Sequence, residues 1–266
     1  MKTKRIHLFC VVGLACLLAN RVLGFGLGLN NPAMVGQWAN RGVQNASDSY
    51  ATSGLMAYWS FDNSTVSGAS VSDLSGNGNT ATLQATASIV TGHRGQAVQL
   101  VSANSDYVSA ASSGTLLLTN RVTVACWLKM TPIVLAAHYP MIVGKLTDNT
   151  GYAIYYNSDA NEIRALYGTS SSFIESPGYT PFATNWYHVC VQNDGTNLKL
   201  WINGSQIGSP GTTWSGEPYD SGSKALEMGR HYSLPATYGY IDALIDEVMI
   251  YNRALSSAEI AVLAGR

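Results

Sequence analysis

From Gly54 onward, hydrophobic and polar positions alternate in short runs broken by Gly, Asn and Asp. Alternation of this kind marks half-buried strands, and the regular turn signals mark a β-sandwich. Strands are expected over 55–61, 97–101, 106–109, 122–130, 141–145, 151–156 and 162–167. A meander follows over 186–192, 198–202 and 206–207, then strands over 224–228 and 243–251. The meander turns at Asn193-Asp194-Gly195 and at Asn203-Gly204; Asn-Gly between apolar runs is a hairpin signal. Only 256–263 reads as a helix, with Ser256 as N-cap and Glu259 three residues on, the spacing of a capping box. This set predicts an all-β fold, a two-sheet antiparallel jelly-roll sandwich with a short C-terminal helix.

Two stretches break the pattern. Residues 1–24 begin with basic Met1–Arg5, continue with an apolar run over 6–19 and end in small residues, the layout of a secretory signal peptide. That run falls short of the roughly 20 residues a spanning helix needs. Cleavage is expected after Gly24, with Ala19 the alternative and an uncleaved anchor the remaining reading. Residues 25–53 show neither period and read as a flexible arm or linker, which leaves 54–266 as the folded domain.

Composition sharpens this outline. Of 266 residues only 12% are charged, with 15 basic against 16 acidic. Losing Lys2, Lys4, Arg5 and Arg21 with the leader leaves 11 basic residues and a net of −5. A mildly acidic chain has no electrostatic footprint for nucleic acid or an anionic membrane. The expected placement is secreted or extracytoplasmic, with no membrane insertion after cleavage. Cys126 and Cys190 then form an even pair in an oxidising compartment, bridged or as two buried thiols.

Four stretches, in order, resemble the laminin-G-like jelly-roll domains of the concanavalin A-like lectin/glucanase superfamily. They are Gly54–Asp62 (GLMAYWSFD), Asp73–Asn79 (DLSGNGN), Asn185–Val189 with Asp194-Gly195 and Leu200–Gly204, and Ile245–Ser256 (IDEVMIYNRALS). The resemblance implies that the opening and closing strands pair. It implies a structural Ca²⁺ held by Asp246, with Asp62 as partner and Asp73 and Asn77 adding oxygens, all hard ligands of the type calcium takes. For Asp73 and Asn77 the competing reading is that they serve their own turn. The related pentraxins imply a Cys126–Cys190 disulfide. Their rim calcium site is matched by Asp148 and Asn149 on one side only, because Arg230-His231-Tyr232 stands where carboxylates are needed.

The paired carboxylates of a glucanase strand are absent from the sequence, and so are nucleophile-elbow and phosphate-loop motifs. The expectation is a non-catalytic module that recognises glycan or an extracellular protein partner. Sugar recognition needs accessible aromatic and hydrogen-bonding groups. The candidates are Trp214 and Tyr219 in one loop, Tyr232 in the next, and Arg164 and Tyr167 on a strand. Two alternatives stand beside this: a structural, adhesion or particle-assembly protein using the arm, and a concanavalin A-like hydrolase.

Overall fold

The computed structural model describes residues 50–265, except 133–137, 148–149, 170–172, 182–184, 214–223, 232–238 and the side chains of 209–211. The signal peptide, residues 25–49 of the arm, Asp148, Asn149, Trp214, Tyr219 and Tyr232 therefore lie outside the described residues.

Seventeen strands and one helix are described, in two antiparallel sheets. The first sheet carries β1 (Leu55–Trp59), β5 (Ser88–Thr91), β6 (Gln96–Leu100), β8 (Val122–Met130), β13 (Tyr187–Asn193), β14 (Asn197–Ile202), β15 (Ser205–Thr213) and β17 (Ala243–Tyr251). Its order is β15-β14-β13-β8-β17-β6-β5, with β1 also on β17. The second sheet carries β2 (Val66–Ser67), β3 (Ser70–Val71), β4 (Ala81–Gln84), β7 (Tyr107–Ala110), β9 (Met141–Thr147), β10 (Thr150–Asn157), β11 (Glu162–Gly168), β12 (Phe173–Glu175) and β16 (Leu226–Met228). Its order is β12-β11-β10-β9-β16-β7-β4-β3-β2. This is the jelly-roll sandwich that the alternation predicts. Strands β2 to β5 and β12, which are short and mostly rich in Ser and Thr, add to the set expected from the pattern.

The inner faces of both sheets make one core, including Trp59, Phe61, Val98, Leu128, Ile154, Tyr156, Val189, Leu200 and Ile250. The outer face of the first sheet is covered by helix α1 (Ser257–Ala264). Ile260 and Leu263 of α1 pack there with Leu55, Tyr58, Ala125, Cys190, Met249 and Tyr251. Tyr50 and Ala51 pack against the same cluster, and Arg253 Nε donates to the Ser53 carbonyl at 2.8 Å. The end of the expected arm, from residue 50, is thus part of the domain. The helix starts with the predicted capping box: Ser256 N–H donates to Glu259 Oε2 at 2.7 Å and Glu259 N–H to Ser256 Oγ at 3.3 Å.

Strand β1 pairs β17 from Leu55↔Tyr251 to Trp59↔Val248, as the resemblance implies. Its other edge is closed by the DLSGNGN loop rather than by a strand. Asp73 Oδ1 accepts from the N–H groups of Tyr58 (3.0 Å) and Ser75 (2.9 Å); Oδ2 accepts from Ser75 Oγ (2.8 Å) and Asn79 N–H (2.9 Å). Asn77 Nδ2 donates to the carbonyls of Leu55 and Met56. The loop so satisfies backbone groups that would otherwise form an open sheet edge.

Candidate functional site

Residue parity along the strands decides which side chains meet. In β8 and β13, Cys126 is opposite Val189 while Cys190 is opposite Ala125. Directly opposed residues share a face and neighbours alternate. Cys126 therefore points into the main core and Cys190 toward α1, and both are buried free thiols. The disulfide implied by the pentraxin resemblance is corrected on this ground: a one-residue offset puts the two sulfurs on opposite faces of one sheet. Burial pushes both thiols above the usual range, which keeps them protonated and unreactive.

The same parity separates Arg164 from Tyr167. Tyr167 is fully buried in the core, its hydroxyl donating to the Thr119 carbonyl at 2.9 Å; it is a packing residue and not a ligand contact. Arg164 lies on the outer face of the second sheet. One ladder row there runs Thr82, Ser109, Glu227, Gly144, Ala153, Leu166 and Glu175 across seven strands. The adjoining positions carry Gln84, Tyr107, Met141, Tyr155 and Arg164. The middle of this face is a small buried cluster of Met141, Leu146, Ala153, Tyr155 and Leu166, with Tyr139 against it.

A charged group flanks that cluster on each side. On β11 and β12, Arg164 bonds Glu162 Oε2 through Nε (2.9 Å) and Nη2 (2.7 Å), and Glu175 Oε2 through Nη1 (3.0 Å). Tyr155 OH donates to Glu175 Oε1, and burial, reinforced by that carboxylate, raises the phenol's pKa. On β16, Glu227 accepts from Arg230 Nε (2.5 Å) and Nη2 (2.7 Å). The Arg230 guanidinium lies 3.6 Å from the centre of the Tyr107 ring, a cation–π stack. Glu227 is only 2% exposed, and its burial raises its pKa although Arg230 opposes the rise. The side chains of Arg164, Glu162 and Glu175 stay about a quarter to a third exposed, at 26%, 27% and 30%. A partly exposed array of guanidinium, carboxylate and aromatic groups can hydrogen-bond hydroxyls and pack against C–H surfaces. Glu227 and Arg230 were missed in the sequence; a glutamate inside the apolar run Ala225–Met228 was the available signal.

The outer face of the first sheet holds the second candidate. Ile245 and Val248 point into the core, and a register shift between Asp246 and Met249 puts a β-bulge between them. Glu247 sits there at φ 53°. The bulge turns Asp246 and Glu247 to the same outer side. Glu247 Oε1 accepts from Tyr58 OH at 2.9 Å. Asp246 Oδ2 accepts from Arg94 N–H at 2.9 Å, and Asp62 Oδ1 accepts from Gln96 N–H at 3.1 Å. The turn Gly92–Gly95 lies over both carboxylates, and its glycines are needed. A Cβ on Gly95 would fall 2.1 Å from Asp62 Oδ1, and one on Gly92 would fall 2.7 Å from Asp246 Oδ2.

Asp246 is fully buried, and its Oδ1 meets no hydrogen-bond donor among the described residues. Burial, with the charges of Glu247 and Asp62, pushes its pKa up to about 8. The structure thus brings Asp62 and Asp246 together, as the sequence reading requires. Asp73 and Asn77 serve the turn: both Asp73 carboxylate oxygens accept from β1 and from their own loop, and Asn77 Nδ2 donates to the carbonyls of Leu55 and Met56. No group of three or more His, Cys, Asp or Glu suited to a metal occurs among the described residues.

A third feature is a cleft of about 340 Å³ on the first sheet, lined by residues including Gln99, Lys129, Thr131, Asp242 and Leu244. Asp242 is committed there to the N–H and hydroxyl of Ser102, at 2.7 and 3.0 Å.

The sequence profile of the concanavalin A-like lectin/glucanases superfamily, in its laminin-G form, matches residues 102–261. The chain belongs to this superfamily. No curated protein sequence matches it significantly. Among solved structures it resembles domain 4 of AbnA, an extracellular arabinanase of Geobacillus stearothermophilus solved with arabinotriose. That match has 22% identity and a TM-score of 0.62, covering 79% of this chain and 98% of the other. It also resembles the binding domain of Paraclostridial Mosquitocidal Protein 1, with 16% identity, a TM-score of 0.61 and 80% and 52% coverage. A third is the Trypanosoma rangeli sialidase solved with sialic acid, with 18% identity, a TM-score of 0.60 and 81% and 33% coverage. The chain thus spans about half of the toxin domain and a third of the sialidase. At these identities the likeness concerns the fold. No described helix is long and apolar enough to cross a membrane.

Proposed function

We propose that this protein is a non-catalytic carbohydrate-binding module whose glycan surface is the outer face of the second sheet. The observation that carries the reading is the pair of Arg–carboxylate–Tyr groups flanking that face: Arg164, Glu162, Glu175 and Tyr155 on one side, Arg230, Glu227 and Tyr107 on the other. The strands hold these groups in place, and Arg164, Glu162 and Glu175 keep enough exposure to hydrogen-bond a sugar. Similar folds solved with arabinotriose and with sialic acid support it.

The non-catalytic part rests on commitment of the carboxylates. Glu162, Glu175 and Glu227 are all bonded to arginine. Asp246 has the raised pKa expected of a general acid, but it is fully buried beneath the Gly92–Gly95 turn. Action outside the cytoplasm follows from the leader-like residues 1–24. An array of diverse glycans tests the function. Binding to at least one glycan is expected; release of reducing sugar from mixed polysaccharides would overturn the non-catalytic assignment.

Asp62 and Asp246 also fit a structural Ca²⁺. Two hard oxygen groups face the same turn, Asp246 Oδ1 is buried without a donor, and their mutual repulsion is what a divalent cation would relieve. Backbone carbonyls and water would complete the six to eight oxygens calcium takes. Bound there, calcium would tie the opening strand, the Gly92–Gly95 turn and the closing strand together.

A further inference from the structure

We infer that the glycan face selects neutral oligosaccharides and rejects those carrying a carboxylate sugar such as sialic acid. This deepens the carbohydrate reading and rests on it. Capture of a sugar carboxylate needs a guanidinium or ammonium free to form a charge-assisted bond. Both arginines of this face are already paired with carboxylates. Arg164 spends Nε and Nη2 on Glu162 and Nη1 on Glu175. Arg230 gives Nε and Nη2 to Glu227 and its face to Tyr107.

The charge count points the same way. Three carboxylates, Glu162, Glu175 and Glu227, stand against these two guanidiniums. An incoming carboxylate would meet net negative charge. To reach Arg230 it would have to displace Glu227, which is nearly fully buried, and breaking a buried pair leaves an uncompensated charge behind. Neutral hydroxyls face no such penalty. They can donate to the partly exposed carboxylate oxygens of Glu162 and Glu175 while the ion pairs stay intact. The two flanks lie four strands apart, about 19 Å at a strand spacing of about 4.8 Å, so an oligosaccharide rather than one sugar is the fitting ligand.

The test compares matched pairs by calorimetric titration of the full chain at neutral pH and physiological salt. Each pair is a neutral oligosaccharide that binds on a glycan array and the same core with a terminal sialic acid added. The neutral member is expected to bind at least about tenfold tighter, a difference of roughly 1.4 kcal/mol. A Glu175→Gln variant removes one partner of Arg164. The ratio of neutral to sialylated affinity is expected to narrow several-fold, although Glu175 also serves the neutral ligand and both affinities change; a thermal melt checks its fold. Equal or tighter binding of sialylated members overturns the inference and leaves the glycan reading standing. An array on which no glycan binds overturns the glycan reading itself, and the inference with it.

Discussion

Replacing Asp73 with alanine removes the acceptor for three backbone N–H groups, those of Tyr58, Ser75 and Asn79, and for the Ser75 hydroxyl. Hydrogen bonds to a charged acceptor are worth about 1.5–3 kcal/mol each when buried. These are part-buried, and water can reach some of the freed donors. Each therefore counts at or below the low end, about 1 kcal/mol, and the whole change should cost roughly 3–4 kcal/mol. Urea denaturation followed by tryptophan fluorescence measures it, because Trp59 Nε1 donates to the Asn79 carbonyl of the same loop at 2.8 Å. For a domain of this size each kcal/mol is worth about 2–4 °C in Tm, so the melt should fall by about 6–16 °C. Asp73→Asn keeps one acceptor oxygen and should recover about half. The loss should be the same in excess calcium and in chelator, since Asp73 is a staple of β1 and not a ligand. A cost under about 1 kcal/mol, or one that vanishes in chelator, would refute the reasoning.

Three other outcomes follow from the same geometry. Calcium at a hundredfold excess over its Kd should stabilise the parent by about 2.7 kcal/mol, read as a rise in Tm, whereas Asp246→Asn should show little rise; equal shifts in both proteins would remove the Asp62–Asp246 site. Mass measurement of the unreduced, alkylated, denatured protein should find Cys126 and Cys190 each modified, and a bridged mass would contradict their placement on opposite faces. The Glu259 carboxylate is held down to about 2 by the bidentate Arg253 pair and the Ser256 N–H. A depressed folded pKa contributes stability above the ordinary carboxylate value and loses it as pH falls from about 4.5 toward 2. Glu259→Gln should therefore be less stable than the parent by about 1 kcal/mol at pH 6, with most of that gap gone at pH 2; a gap undiminished at pH 2 would contradict the pairing.

The strands legible in the sequence were those whose inward positions are strongly apolar, such as 122–130 and 243–251, together with the capping box at Ser256–Glu259. Strands such as Ser88–Thr91 and Ala81–Gln84 were hidden because a short strand at a sheet's margin buries little and can be built from Ser, Thr and Ala. Parity is legible within a strand: Arg164 and Tyr167 are three residues apart, so they cannot share a face. Parity between strands was not legible. The offset between Cys126 and Cys190 depends on cross-strand register, which composition does not encode. The bulge at Asp246–Glu247 is likewise a tertiary feature, arising where β17 changes partners from β6 to β1. The meeting of Asp62 with Asp246 was nevertheless legible, because it needed only the pairing of the opening and closing strands.

The central claim is the location of the glycan surface, and amide chemical-shift mapping of the labelled protein tests it most directly. Titration with an oligosaccharide that binds on the array should perturb amides along β7, β11 and β12 and around Arg230. Shifts confined to the other sheet, around Lys129 and Leu244 or beside helix α1, would contradict the account.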